Sequence, residues 1–250
     1  MHNRYHAIYL SPHLDDAALS CGGQIFQRTR AGEQVLIVTI TAGDPPHAGV
    51  SSYAQSLHDR WQLVSDATAA RRAEDLAAAR ILGADALHGS LPDCIYRFHP
   101  ETHQPFYRSD EDIFGEVHEA EAPLVDQLAT WFATLPPHGE LFAPLAAGHH
   151  VDHQLTRLAA ERAFGQGLRY YEDYPYAQQP GAVARALPTV AAGWQAETIP
   201  ISAEALAAKF QAILAFASQF STFWRDVAEM EQQVGGYAAR VGGERVWRRL

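Results

Sequence analysis

Ser11-Pro12-His13-Leu14-Asp15-Asp16-Ala17-Ala18-Leu19-Ser20-Cys21-Gly22-Gly23 decides how this chain is read. Just upstream, Ala7-Ile8-Tyr9-Leu10 is apolar and β-prone. Downstream, Asp15 or Asp16 can cap a helix that closes at Gly32. A strand ends, the chain turns and a helix begins, with one imidazole and two carboxylates at the turn. In open α/β sheets, ligands bind at the carboxyl ends of strands. Neutral imidazole and carboxylate are zinc ligands, and a neighbouring carboxylate left free of the metal can deprotonate a bound water. By itself, such a turn reads equally as a capped helix start with a chance histidine beside it.

Outward from this turn the chain alternates between strand and helix. Val35-Leu36-Ile37-Val38-Thr39-Ile40 suits a strand buried on both faces of a parallel sheet, and it ends near Gly43-Asp44. Residues 45–53 read as a long loop near that tip, of the kind that more often carries function than not. One helix is predicted from about Ser56 to Leu82, stopped by Gly83, with Arg71, Arg72, Glu74 and Asp75 as its ordinary solvated face. Ala84 to Gly89 is a third strand, and Asp93 lies just beyond its tip. Residues 96–113 read as a second long loop. Leu124, Leu128, Phe132 and Leu135 then share a helical face that ends at Pro136-Pro137.

Glu140 to Leu145 reads as another strand, whose Pro144 predicts an edge position or an early end. Gly148-His149-His150-Val151-Asp152-His153 follows and opens a helix. Leu168 to Tyr171 is a strand ending in Glu172-Asp173, read as solvent-facing or structural. Residues 181–191 read as linker or surface loop, and Glu197 to Ile201 as a weak strand. Much of the last fifty residues reads as helix, and the tail at 242–247 is too short to classify. The pattern predicts a single domain over residues 1–250 of the α/β class, a Rossmann-like, mostly parallel sheet with helices on both faces.

Composition narrows the function. The 250 residues are 47% hydrophobic, ample for one core, and carry a formal charge of −10. That charge argues against a nucleic-acid partner, which needs a basic surface. Cys21 and Cys94 are far apart, so neither a disulfide framework nor a cysteine metal site is expected. Cys21 reads as a small helix-packing residue. The N-terminus lacks the apolar core of a signal peptide, and no apolar run approaches the ~20 residues that span a membrane. A cytoplasmic protein without a membrane span is the expectation.

Two strand-to-helix turns thus carry metal-ligand residue types. His13 and one aspartate from the first, with one histidine from the second, make a two-histidine, one-carboxylate set with open positions for water and substrate. The same set also suits iron(II) or another divalent ion. A nucleotide-binding module is the competing reading. It is disfavoured because no GxGxxG or GxxxxGK[ST] occurs, and two aspartates at a helix start repel phosphate.

His13-Leu14-Asp15-Asp16 together with His150-Val151-Asp152-His153 resembles the PIG-L/LmbE family of zinc-dependent N-deacetylases. Gly22-Gly23, Arg71-Arg72-Ala73-Glu74 ahead of Leu82-Gly83, and Pro92-Asp93 extend the resemblance over most of the chain. It implies that His13, Asp16 and His153 bind Zn2+. It makes Asp15 the general base on a zinc-activated water, and His150 the oxyanion stabiliser or general acid. Asp152 then orients a neighbouring imidazole, while Arg71 and Asp93 bind sugar. The implied activity is hydrolysis of an N-acyl, above all N-acetyl, group on an amino sugar or glycoconjugate; the alternative is a metal-binding member with lost or different activity. Two positions depart from the pattern: Leu14 stands where many members have proline, and Ala17 where many have an acidic residue. His149 reads as a loop histidine outside the ligand set.

Overall fold

The computed structural model describes residues 2–46, 49–61, 67–165, 167–187 and 193–250. Seven strands form one sheet: β1 (Tyr5–Ser11), β2 (Val35–Thr39), β3 (Asp85–His88), β4 (His138–Pro144), β5 (Arg169–Tyr171), β6 (Trp194–Ile199) and β7 (Glu244–Arg249). Their order is β3-β2-β1-β4-β5-β7-β6. The first five run parallel, while β7 is antiparallel to both β5 and β6.

Every residue of β2 is buried, and in β1 only His6 is exposed. The reason is that both faces of the sheet are covered, so alternation gives way to continuous apolar runs. Tyr9 pairs in register with Ile37, and its ring stacks on Phe142 of β4 at 4.3 Å. These three belong to a core shared with Ala18, Cys21 and Ile25. The intervening Ile8 and Leu10 point to the opposite core, with Leu36, Val38, Phe132 and Leu141.

The helices are α1 (Asp16–Arg30), α2 (Ser52–Trp61), α3 (Ala67–Leu82), α4 (Asp110–Ile113), α5 (Ala122–Phe132), α6 (Val151–Phe164), α7 (Ala182–Ala186), α8 (Ala203–Leu214), α9 (Ala217–Phe223) and α10 (Val227–Val241). On one side α1 packs against α3 and α8; on the other, α5 packs against α6. Gly22 and Gly23 permit the first of these contacts, since a Cβ on Gly22 would stand 3.1 Å from Lys209 Cγ of α8. The amides of Gly23 and Gln24 each donate to the Glu244 carboxylate at 2.9 Å, and Lys209 pairs with it at 2.7 Å.

The α/β class with a mostly parallel sheet is as the pattern predicts, while several local elements differ or are filled in. The single helix from about Ser56 to Leu82 is two, α2 and α3, with residues 62–66 outside the described set. Of the two expectations for Pro144 the early end holds: the proline occupies the last position of β4, which for that reason can lie between β1 and β5 and not at an edge. The tail that defied classification is β7, inserted between β5 and β6. Residues 188–191 of the expected linker are also outside the described set, and α7 occupies its first part.

Strands follow one another outward from β1 to β3 and, in the other direction, from β4 to β5. The order reverses between β1 and β4, and such a reversal opens a crevice beyond the carboxyl ends of the two strands. His13 leaves the tip of β1 and His150 follows the tip of β4. Among the described residues, no helix is long and apolar enough to cross a membrane.

Candidate active site

The first turn is pinned by Ser11. Its Oγ donates to the His13 carbonyl at 2.7 Å and accepts the Ala17 amide at 3.0 Å. Asp15 precedes α1 with φ 151° and ψ −30°, a conformation that glycine favours, and its side chain caps no amide. Strain of this kind costs about 1–3 kcal/mol and persists only where the surroundings impose it. A merely capping aspartate would satisfy a helix amide, so the carboxylate is left for the crevice. Asp16 instead folds back, with Oδ2 accepting the His13 amide at 2.9 Å.

The second turn brings His150 and His153 to the same crevice. His150 is the cap of α6, its Nδ1 accepting the Asp152 amide at 3.2 Å. Nε2 of that ring therefore carries the proton. Asp16 Oδ2 lies 3.2 Å from His13 Nδ1 and 3.2 Å from His153 Nε2. The outer nitrogen of each ring donates to a buried carboxylate: His13 Nε2 to Asp152 at 3.0 Å, and His153 Nδ1 to Asp173 at 2.6 Å.

With those protons placed outward, three acceptor atoms face one another, and His153 Nε2 has no hydrogen-bond partner among the described residues. Three converging acceptors without a donor fit a divalent cation. Nitrogens of His13, His150 and His153 also lie within 4.8 Å of one another. Asp16 Oδ2 stands 3.2 Å from a nitrogen of both the His13 and His153 rings, while His150 has its Nδ1 lone pair engaged by the Asp152 amide.

Charge bears this out. Burial pushes the His153 pKa down, but the carboxylates of Asp16 and Asp173 carry it up to about 9. His13 is likewise raised, burial being outweighed by Asp152 and Asp16. Burial raises the Asp16 carboxyl, yet the rings of His153 and His13 hold it well below the usual range. Without a cation, protons fill the space between these groups. Burial beside Asp16 raises Asp15 to about 7, with Arg71 and His13 opposing. His150 is driven well below its ordinary value by burial and by His13, so it stays neutral.

Around the cluster lies a cavity of about 240 Å³ lined by His13, Asp15, Asp16, Arg71, Asp93 and His150 among others. Arg71 is 3.8 Å from both Asp15 and Asp93. Asp93 also caps a short turn by accepting the Ile95 amide. Arg71 is buried rather than solvated, while Arg72 pairs with Asp44 at 2.8 Å away from the cavity. Glu74 does not reach the cavity either; it accepts the Ser218 amide and hydroxyl and ties α3 to α9. His149 is exposed, and its ring meets the Gly115 carbonyl at 2.9 Å.

Three residues of this arrangement escape the sequence reading. Asp173 does not face solvent, being fully buried against His153; its position at the tip of β5 was the available signal. Arg97 donates to Asp152 Oδ1 at 2.5 Å and pairs with Glu121 at 2.5 Å, in the interior. Arg97 falls within a stretch read as loop and Glu121 lies far along the chain, so no local pattern links them.

Residues 8–164 match the PIG-L family, described as GlcNAc-PI de-N-acetylase. A solved structure of teicoplanin deacetylase Orf2 in its zinc-inhibited form superposes with a TM-score of 0.82 and 30% identity, covering 98% of this chain and 97% of that one. The 2'-N-acetylparomamine deacetylase of Niallia circulans is 29% identical over 188 residues, 69% of this chain and 68% of that protein. A 1D-myo-inositol 2-acetamido-2-deoxy-alpha-D-glucopyranoside deacetylase of Mycobacterium sp. (strain KMS) is 31% identical over 169 residues. That match spans 66% of this chain and only about half, 53%, of the relative.

Proposed function

The chain belongs to the PIG-L family, and from that premise we propose that it is a metal-dependent hydrolase removing the N-acetyl group from an amino sugar or glycoconjugate, with residues 1–250 acting as one domain. The observation that carries the reading is the convergence of His13 Nδ1, His153 Nε2 and Asp16 Oδ2, with Asp15 free beside them. Relatives named for deacetylation of acetylparomamine and of an acetamido-glucopyranoside support the substrate class.

Zinc is the proposed metal, held by His13, Asp16 and His153. A tetrahedral zinc with ligands at about 2.0–2.1 Å has ligand–ligand edges of about 3.4 Å, close to the two 3.2 Å separations. When bound, it would polarise the amide carbonyl and lower the pKa of the attacking water. Asp15 takes the proton from that water, a role its free carboxylate and raised pKa allow. His150 is neutral with Nε2 protonated, so it donates a hydrogen bond to the oxygen on which charge develops. A depressed pKa suits this donor better than a cationic general acid; Asp15, once protonated, is the group placed to return a proton to the leaving amine. Asp152 fixes the His13 ring, and Arg71 with Asp93 offers a donor and an acceptor to sugar hydroxyls.

The test is primary-amine release from N-acetylglucosamine and its glycosides, before and after chelation and re-addition of zinc. Chelation abolishes release and zinc restores it if the reading holds. Turnover confined to phosphoesters or nucleotides refutes it.

A further inference from the structure

Glu74 lies three residues after Arg71 on α3, where the two side chains are neighbours, but it serves no group of the donor cluster. Its carboxylate takes both polar hydrogens of Ser218 instead: Oε1 accepts the amide at 2.9 Å and Oε2 the hydroxyl at 2.6 Å. An ionised carboxylate only accepts, so the Ser218 hydroxyl has spent its proton and has lone pairs alone left to offer. Gln219 Nε2 lies 3.2 Å from that oxygen and donates to it. The Gln219 side-chain amide therefore has one orientation, with its nitrogen towards Ser218 and its Oε1 turned away.

Gln219 is only 5% exposed, yet it lines the cavity together with Thr222 of the same helix. With Asp15 and Leu19 it also borders a narrow void, which places it on the Asp15 flank of the site. Among the described residues, the bond to Ser218 is the only one its side chain makes. Burying an amide carbonyl without a donor is unfavourable, and an apolar side chain would fill the same space without that cost. An oriented, unspent acceptor in the wall of a cavity fits a donor on the ligand. Ser218 and Gln219 lie beyond residues 8–164, the part matched by the family, so the family's shared chemistry does not account for them.

We propose that Gln219 is a specificity-determining residue whose Oε1 accepts a hydrogen bond from one hydroxyl of the sugar. Glu74 is then a positioning residue, acting through Ser218 to hold that acceptor in place. One helix, α3, thus supplies a donor directly through Arg71 and fixes an acceptor on α9 through Glu74. The identity of the ligand as a sugar rests on the deacetylase reading; the orientation of the amide does not.

The test compares N-acetylglucosamine with its 3-, 4- and 6-deoxy analogues on the zinc-loaded protein. One analogue should lose roughly tenfold in kcat/KM, the scale of a single hydrogen bond. In Gln219→Met, which keeps the length but not the acceptor, the parent sugar should lose about the same factor, and that one penalty should fall below about twofold. Ser218→Ala and Glu74→Ala should shrink the penalty too, whereas Ser218→Thr, which keeps the hydroxyl, should restore it. Unchanged metal content and melting separate a lost contact from a lost fold, and if Gln219→Met melts early the Ser218 pair decides alone. Equal losses for parent and deoxy sugars in these variants, or no penalised analogue in the unaltered protein, overturn the proposal and leave Gln219 a packing residue. Magnetic-resonance titration of the metal-free protein with glucosamine and its three deoxy analogues repeats the comparison without hydrolysis. A Gln219-dependent difference in binding with no turnover of any N-acyl sugar upholds the contact and refutes the deacetylase reading; turnover with no such difference in either assay does the reverse.

Discussion

Asp173 Oδ1 lies 2.6 Å from Nδ1 of His153, and both side chains are buried. The carboxylate holds the ring in the tautomer that points a lone pair at Asp16, and it makes that lone pair more basic. Partners of this kind change metal affinity by about 10–100-fold when removed. Asp173→Asn is therefore expected to weaken zinc binding by that factor while the fold persists. Calorimetric titration of the refolded, metal-free variant measures it; unchanged affinity would reduce Asp173 to a packing residue.

Metal binding should also be strongly pH-dependent. His153 has a pKa of about 9 in the metal-free protein and His13 is raised as well, so both are protonated at neutral pH. A cation must displace those protons. Affinity then rises with pH up to about 9 and falls below it, by about tenfold per pH unit for each proton displaced. Titrations in buffers of differing ionisation enthalpy will show proton release on binding. Affinity that stays flat between pH 6.5 and 8.5 would contradict the charge arrangement. Asp15, the proposed base, has a pKa of about 7 without the cation. A bound cation lowers it, so the acid limb of kcat/KM should lie below pH 7.

Arg97 is buried between Asp152 and Glu121. Removing one partner from a buried ionic group leaves uncompensated charge and costs roughly 3–5 kcal/mol. Arg97→Met should lower the urea midpoint accordingly and loosen Asp152, hence His13. A loss under 1 kcal/mol would mean that solvent reaches the pair.

Arg71→Ala should lower kcat/KM for the N-acyl sugar with metal content unchanged, because Arg71 lines the cavity 3.8 Å from Asp15 and Asp93 without touching the donor cluster. Loss of metal in this variant would make the arginine structural. Asp93→Ala is the companion, and it should show the same pattern plus a small loss of stability from the missing cap at Ile95.

What the sequence discloses follows from the range of each interaction. The turn at His13 to Asp16 and the one at His150 to His153 are local, each set by a strand end and the helix after it, and both are legible. So is the parallel core, since β2 is apolar from Val35 to Val38 and buried throughout. Arg97 with Glu121, and Asp173 with His153, join residues that only the tertiary fold brings together. The strand β7 is equally illegible: a short, arginine-rich segment after two glycines becomes a strand because β5 and β6 offer it edges on either side. In α3, Arg71 and Arg72 are adjacent and alike in sequence, and only packing sends one into the cavity and the other to Asp44.

The adjacent aspartates give the sharpest test. Asp16 Oδ2 lies 3.2 Å from a nitrogen of each of two histidines, whereas Asp15 projects from a strained turn with no amide to cap. Asp15→Asn keeps size and hydrogen bonding but cannot take a proton. It should retain zinc and lose on the order of 10²–10⁴ in kcat, the usual range for removing acid–base assistance. Asp16→Asn replaces the proposed carboxylate ligand by a neutral amide, so zinc affinity should fall instead. Added zinc should then recover part of the activity of Asp16→Asn and none of that of Asp15→Asn. Metal content by mass spectrometry and zinc-dependent kcat separate the two outcomes. Equal metal loss in both variants would show that the two carboxylates share the ion. Rescue of Asp15→Asn alone would reverse the assignment, placing the strained aspartate on the metal and leaving Asp16 as the base.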